Sequence, residues 1–207
     1  MAEKTGLIKE RLVLCVVRIR GGMLFKVKLI LFIIAMVGIV WVSRSSLWNF
    51  RSHGFYRFFA WVIILCMIWM NIEFWFYEPF RLHQIISWIL LIISLPFLIW
   101  GVQLLRKAGK SDVGRTDPTL VGFEKTTELV TEGIYSYIRH PLYSSLLFLA
   151  WGTFFKMPSW VGGCLAVIAS FFLTMTAKVE EAENINFFGD SYRQYMKQSK
   201  MFIPFLF

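Results

Sequence analysis

The sequence predicts an all-α membrane protein: about five transmembrane helices, a helical hairpin near the C-terminus and an amphipathic tail helix. Three observations predict it. Of the 207 residues, 57% are hydrophobic, where soluble domains have about 45–50%. Only 17% are charged, against about 25% ordinarily, so the apolar surplus has to face something other than water. Aromatic residues reach 18%, with 21 Phe and 9 Trp, which suits lipid-facing surfaces and interfacial belts. The net charge of +9 is spread along an apolar chain rather than set on a polar domain. This excludes disordered and nucleic-acid-binding classes.

About 20 residues at 1.5 Å each cross about 30 Å of hydrocarbon, and this length locates the elements in order. Residues 1–22 read as a basic amphipathic segment on the membrane surface, with a solvated tail as the plain alternative. Residues 23–105 hold three spans. Met23–Val42 starts beside Lys26 and Lys28, which can snorkel. Phe58–Tyr77 is rich in Trp and Phe and carries Asn71 and Glu73 towards its far end. Ile85–Leu105 contains Pro96, an expected kink. In the region 106–207, a polar loop leads to a hairpin over 142–176. Its first arm, the shortest span, opens at Pro141, a favoured first-turn position. Lys156-Met157-Pro158-Ser159 makes the turn, and Trp160–Thr176 is the second arm. From Val179 to about Lys197 apolar and charged residues alternate at helical spacing. Pro204 stops any helix, and Phe202, Ile203, Phe205, Leu206 and Phe207 can return to lipid. The Lys/Arg balance narrowly places the tail and the 106–140 loop on the cytosolic side, against the pull of the basic start. Cys15, Cys66 and Cys164 form no metal or redox spacing.

Polar residues crowd with aromatics at two places. One is Leu129 to Tyr143, with Gly133, Tyr135, Tyr137, Arg139 and His140. The other is Glu180, Glu181 and Glu183, leaving the last span, followed by Phe187-Phe188-Gly189-Asp190-Ser191-Tyr192-Arg193-Gln194-Tyr195. Carboxylates emerging from an apolar helix cost desolvation energy unless a cation meets them. Arg139 and His140 are the internal partners, and a cationic ligand is the alternative. A ligand carrying both an ammonium and a carboxylate fits. S-adenosylmethionine is one, its sulfonium already bearing an activated methyl, so that the protein mainly aligns a nucleophile and needs no metal. The same residues fit an ion-paired structural junction equally well. Tyr137 reads as interfacial belt, Tyr135 and Tyr143 as functional, and Glu183 as solvated. His53, His83 and His140 are too few for a His-rich di-iron centre. Gly109-Lys110-Ser111 imitates a phosphate loop, but Leu104 occupies the place of its first glycine.

Gly133-x-Tyr135-x-x-x-Arg139-His140-Pro141-x-Tyr143, followed by Glu180-Glu181 and Phe188-Gly189-Asp190-x-Tyr192-x-x-Tyr195, resembles the isoprenylcysteine carboxyl methyltransferase and phospholipid methyltransferase superfamily. The likeness covers roughly residues 100–205. It implies a multi-pass S-adenosylmethionine-dependent methyltransferase with its site at the cytosolic face and a lipidic or amphiphilic acceptor entering from the bilayer. By the same resemblance Thr127, Glu128, Leu129 and Val130 lie along the cofactor. Tyr135 and the His140-Pro141-Leu142-Tyr143 run grip it, and Glu180 meets it, with Glu181 able to exchange roles with its neighbour. Arg139, His140 and Glu180 form the implied catalytic set. One departure points to a different acceptor. The prenylcysteine enzymes place an Arg one turn before the carboxylate, where this chain has Thr176, with Lys178 the nearest base. Ser144-Ser145 also stand where many relatives have a Gly nearby. No general base is assigned. Two other functions compete: an NAD(P)H-dependent enzyme like the membrane sterol reductases, and a non-catalytic scaffold of the same fold. Reductase phosphates call for Arg and Lys where this tail offers Glu180, Glu181 and Glu183, which favours methyl transfer.

Overall fold

The computed structural model describes residues 24–108 and 128–204. The expected amphipathic segment 1–22, the Gly109-Lys110-Ser111 stretch, Thr127 and the terminal Phe205, Leu206 and Phe207 lie outside the described residues. Helix α1 (Leu24–Ser43) is 20 residues long with a mean hydropathy of 2.4. The remaining helices are α2 (His53–Asn71), α3 (Leu82–Ala108), α4 (Pro141–Phe154), α5 (Trp160–Phe188) and α6 (Asp190–Gln198), with 3-10 turns at Ile72–Phe74 and Gly133–Ser136.

Four of these, α1, α2 with its 3-10 extension, α3 and α5, are long and apolar enough to cross a membrane. This is an integral membrane protein. The expected fifth span is α4, and its 14 residues reach only about 21 Å, so among the described residues the count of full spans is four. The larger difference is at α5. The helix does not end near Thr176 but runs on to Phe188, because the polar tail keeps the same helical phase as the span before it. It stops at Gly189, whose φ of 64° lies in the left-handed region that glycine enters without strain. The chain then turns into α6. At the other end Ser159 caps α5, its hydroxyl accepting from the Gly162 N–H at 3.1 Å. α3 continues through Pro96 as one helix.

α3 packs along α4 and α2 along α5. Both pairs are antiparallel. Ser87 donates to the Gly152 carbonyl at 2.7 Å and Phe97 meets Phe148 edge-on. On the other side Phe59 stacks on Phe172 with centroids 5.2 Å apart. The core is built largely from small residues, Ala60, Ala150, Ala169 and Ala177, around Ile64, Leu173, Tyr143 and Phe202. Small side chains let helices approach closely where lipid offers little drive to pack. The outward face of α3 shows Ile85, Ile89, Ile92 and Ile99, an apolar stripe at helical spacing that suits lipid contact.

At the α4–α5 turn Lys156 is completely buried. Its Nζ sits 3.5 Å from the Trp88 ring centroid and 5.2 Å from that of Trp75, and donates to Gln84 Oε1 at 3.2 Å. Gln84 in turn donates to the carbonyls of Phe74 and Lys156 at 2.9 and 3.0 Å. Burial pushes the Lys156 ammonium down to about 8 from its ordinary 10.5.

Candidate active site

The Gly-x-Tyr motif opens with Gly133 at φ 59°. A Cβ there would lie 2.8 Å from Leu104 Cδ1 of α3, so both backbone and space demand glycine. The turn that follows buries Tyr135, whose hydroxyl donates to the Gly101 carbonyl at 3.4 Å. Tyr137 to His140 then run beside the tail. The Arg139 N–H donates to the Lys200 carbonyl at 2.8 Å, the His140 N–H to Met201 at 3.2 Å, and the Lys200 N–H to Tyr137 at 2.9 Å. Ser144 adds a bond to the Phe202 carbonyl at 2.7 Å, and the Tyr195 hydroxyl donates to the Tyr135 carbonyl at 2.6 Å. The tail is thus a strap that fixes the motif at the start of α4. Ser144 has its explanation there.

The three acidic residues leaving α5 meet three different fates. Glu181 turns inward, its Oε1 receiving the Arg139 Nε at 2.6 Å with His140 Nε2 at 3.4 Å. Both members of this ion pair are buried, with side chains 9% and 8% exposed. Glu180 turns the other way. Its Oε2 accepts from the Tyr143 hydroxyl at 2.5 Å and lies 3.7 Å from His140 Nδ1. Glu183, expected to be solvated, instead holds the start of α2. It accepts from the His53 backbone N–H at 3.0 Å and lies 2.6 Å from His53 Nδ1. His53 is fully buried, and a carboxylate satisfies a helix N-terminus well.

Arg139 spends three of a guanidinium's five N–H donors inside the protein: one on Glu181 and two on the carbonyls of Met196 and Ser199. Cations are favoured at that C-terminal end of α6. His140 stacks on Tyr143, centroids 5.4 Å apart and 18° from parallel, and stands between the two carboxylates.

Between α3, the motif, α5 and α6 lies a partly open cavity of about 70 Å³, well below the roughly 300–1,000 Å³ usual for occupied ligand sites. Of the residues the sequence singles out, Leu129, Val130, Tyr135, Arg139, His140, Pro141, Leu142, Tyr143 and Glu180 line it. Glu181 stands behind the wall and not on it. Glu128 is exposed beside the lining residue Leu129. Leu105, Asn184, Phe188, Tyr192 and Tyr195 complete the wall. Asn184 and Phe188 follow Glu180 at four-residue steps, one face of a helix, a signal that is visible only once α5 is known to continue. Leu105 gave none. Burial raises the Tyr192 and Tyr195 phenols well above their usual range, Tyr192 further through the nearby charge of Glu180. Thr176, the departure position, is buried with its hydroxyl bonded to the Phe172 carbonyl at 2.7 Å, and Lys178 is exposed.

Because Arg139 and Glu181 pair with each other, Glu180 presents a carboxylate to the cavity whose nearest ionisable basic neighbour, among the described residues, is the His140 imidazole at 3.7 Å. Such a corner can hold an ammonium, with the imidazole beside it for an acid group.

Comparison with known proteins matches residues 82–191 to the phospholipid methyltransferase family, the region that contains most of the cavity wall. The chain is 34% identical over 116 residues to a protein-S-isoprenylcysteine O-methyltransferase of Schizosaccharomyces pombe, covering 55% of this chain and 49% of that protein. It is 27% identical over 153 residues to protein-S-isoprenylcysteine O-methyltransferase B of Arabidopsis thaliana, 72% of this chain and 75% of that protein. Methanethiol S-methyltransferase 1 of Bradyrhizobium diazoefficiens is 33% identical over 88 residues, 41% of this chain and 30% of that protein. The matched part spans about half or less of the S. pombe and Bradyrhizobium relatives. No solved structure matches the chain.

Proposed function

The chain belongs to the phospholipid methyltransferase family, and on that premise we propose that it is an S-adenosylmethionine-dependent methyltransferase acting on a lipidic or amphiphilic acceptor. One observation carries the reading: of two adjacent carboxylates, the buried Glu181 is neutralised by Arg139 while the half-buried Glu180 faces the cavity. A carboxylate left in a low-dielectric site is expensive and is best explained by a cationic ligand. The residues present fit such a donor. When bound, it supplies a methyl group already activated on a sulfonium.

Glu180 holds the donor's ammonium, and the Tyr143 hydroxyl fixes the rotamer in which it does so. His140, held between two carboxylates and stacked on Tyr143, lines the corner where the donor's amino-acid end sits. Arg139 is a positioning residue: it seats Glu181 and ties α6 to the motif, so that the wall keeps its shape. Leu129, Val130, Pro141 and Leu142 exclude water from the corner. Catalysis then consists of aligning an acceptor in line behind the methyl. The relatives named for isoprenylcysteine and for methanethiol differ widely in acceptor. The inward-turned hydroxyl of Thr176 offers no cation for a carboxylate, which favours an acceptor other than prenylcysteine. The Lys/Arg balance of the same loop and tail supports a site at the cytosolic face.

Calorimetric titration of the full chain in detergent with S-adenosylhomocysteine and with NADPH tests this. Binding of the first alone is the expected result. Binding of NADPH alone would replace it with a reductase, and binding of neither with a scaffold. A labelled donor incubated with lipid extract then identifies the acceptor by the mass that gains the methyl.

A further inference from the structure

A separate hollow lies on the outer face of α3, against the Gly133–Ser136 turn. It measures about 370 Å³, within the roughly 300–1,000 Å³ of ligand sites. Trp100, Gln103, Leu104 and Lys107 of α3 line it together with Gly133 and Ile134. The close approach of Gly133 to Leu104 forms its inner wall. Leu105 and Tyr135 line the donor cavity while their chain neighbours Leu104 and Ile134 line this groove, so the two hollows open on different sides of one helix–turn contact. Their chemistry also differs. The donor cavity presents the Glu180 carboxylate, whereas among the described residues no carboxylate lines the groove and its charged member is Lys107.

The groove is the polar end of a longer surface. Trp100, Gln103 and Lys107 follow one another at helical spacing, and the same side of α3 continues through Ile99, Ile92 and Ile89, all exposed. Lys107 stands 15 residues beyond Ile92, about 22 Å along the axis, which is about half of the 40–45 Å that a bilayer measures with its headgroups. Along that length the chemistry changes in the order of a lipid leaflet. It is apolar for most of the way, then comes an indole of the kind that prefers the headgroup boundary, then an amide, then an ammonium. A lysine meets phosphate as a compact point charge, and basic residues just beyond a span attract anionic lipid. From this order we infer that the α3 groove binds a membrane phospholipid, Lys107 meeting the phosphate, Gln103 donating to the ester carbonyls, and Trp100 with the isoleucines lying along an acyl chain. The ligand comes from the bilayer and not from solution, because most of the matching surface is apolar. The site stands apart from the donor cavity and does not depend on the methyl-donor reading.

Native mass spectrometry of the full chain, released from detergent micelles, follows the binding of three probes: phosphatidylglycerol, the matching diacylglycerol without phosphate, and glycerol 3-phosphate without chains. Phosphatidylglycerol should bind most tightly and glycerol 3-phosphate should not be retained. Lys107→Gln should weaken phosphatidylglycerol about fivefold, the worth of about 1 kcal/mol for a basic residue near a lipid surface, and leave diacylglycerol unchanged. Trp100→Ala should weaken both lipids. Lys178→Gln, which removes an exposed lysine outside the groove, should change neither. Melting temperatures report which variants are folded. Unchanged phosphatidylglycerol binding in Lys107→Gln, or an equal loss in Lys178→Gln, reduces the effect to general attraction by a basic surface and overturns the site. Diacylglycerol binding as tight as phosphatidylglycerol removes the phosphate from it. Retention of glycerol 3-phosphate as tight as that of the lipid makes the ligand a soluble phosphate, and a folded Trp100→Ala variant that keeps both lipids removes the acyl-chain track; either result overturns the assignment to the bilayer.

Discussion

At the α4–α5 turn and at the start of α4, the same hairpin buries polar side chains and resolves them in opposite ways. Around Lys156 every hydrogen bond closes on the protein. The ammonium goes to Gln84 and the Trp88 face, Gln84 to two carbonyls, and His83 Nδ1 to the Phe155 carbonyl at 3.0 Å. Around Arg139 some polar groups close in this manner and others also line a cavity. Arg139 and Glu181 satisfy each other, whereas Glu180 and Asn184 look into a cavity. Burial of a charge is therefore no mark of function by itself. What separates the ends is whether the buried polar side chains line a cavity.

The sharpest way to break this comparison is at the closed half of the site. Arg139→Leu strands Glu181 in a buried position, and removing one partner of a buried ion pair costs about 3–5 kcal/mol. Unfolding in detergent followed by circular dichroism should show this loss, and adding Glu181→Leu should recover most of it, because a well-packed apolar pair replaces a buried ion pair at little cost. A single variant as stable as the unaltered chain would mean that the pair does not hold α6 to the motif. Glu180→Gln is the opposite case. Its fold should survive within about 1 kcal/mol, while S-adenosylhomocysteine binding falls roughly 30- to 150-fold, the worth of about 2–3 kcal/mol for a hydrogen bond to a charged group. Unchanged affinity by calorimetry would detach Glu180 from the donor.

That these neighbouring acids behave differently could not be read from their order in the chain. Adjacent helical positions lie about 100° apart, and which one faces the cavity depends on how α5 is turned against α2 and α6. The apolar periodicity did reveal the helices and the hairpin, because lipid demands long uninterrupted runs. It ended the last span near Thr176, where charges begin, although the backbone stays helical to Phe188, and so the Glu180, Asn184 and Phe188 face was hidden. His53 and Glu183 are 130 residues apart and have no local signal. Nor does the tail strap, a single bridge between Ile138 and Lys200, too short to carry a periodicity. The motif residues around His140 were legible because they sit together in sequence as well as in space.

At the closed end the effects should be smaller. Lys156→Met removes a cation over Trp88, worth about 0.5–2 kcal/mol, and leaves Gln84 Oε1 without that donor, but it also removes the cost of burying an ammonium. The net loss should be about 1 kcal/mol, with donor affinity unchanged. A fall in affinity would show that the two ends are coupled, and the contrast drawn between them would fail.

The pH dependence sharpens the same contrast. Folded Lys156 titrates near 8 and unfolded lysine near 10.5. Between those values the unfolded chain binds more protons than the folded one, so stability rises with pH. Below about 8 both forms are charged and this contribution is flat. The upper end is limited by the site. Tyr192 and Tyr195 stay protonated in the fold because burial raises them, while unfolded tyrosine ionises near 10.0, so above that pH the slope turns downward. Melting temperatures between pH 7 and 9.5 should therefore climb in the unaltered chain and stay level in Lys156→Met, while Glu180→Gln keeps the climb. A climb that persists without Lys156 would assign it to another group and leave the filled end of the hairpin without its titrating charge.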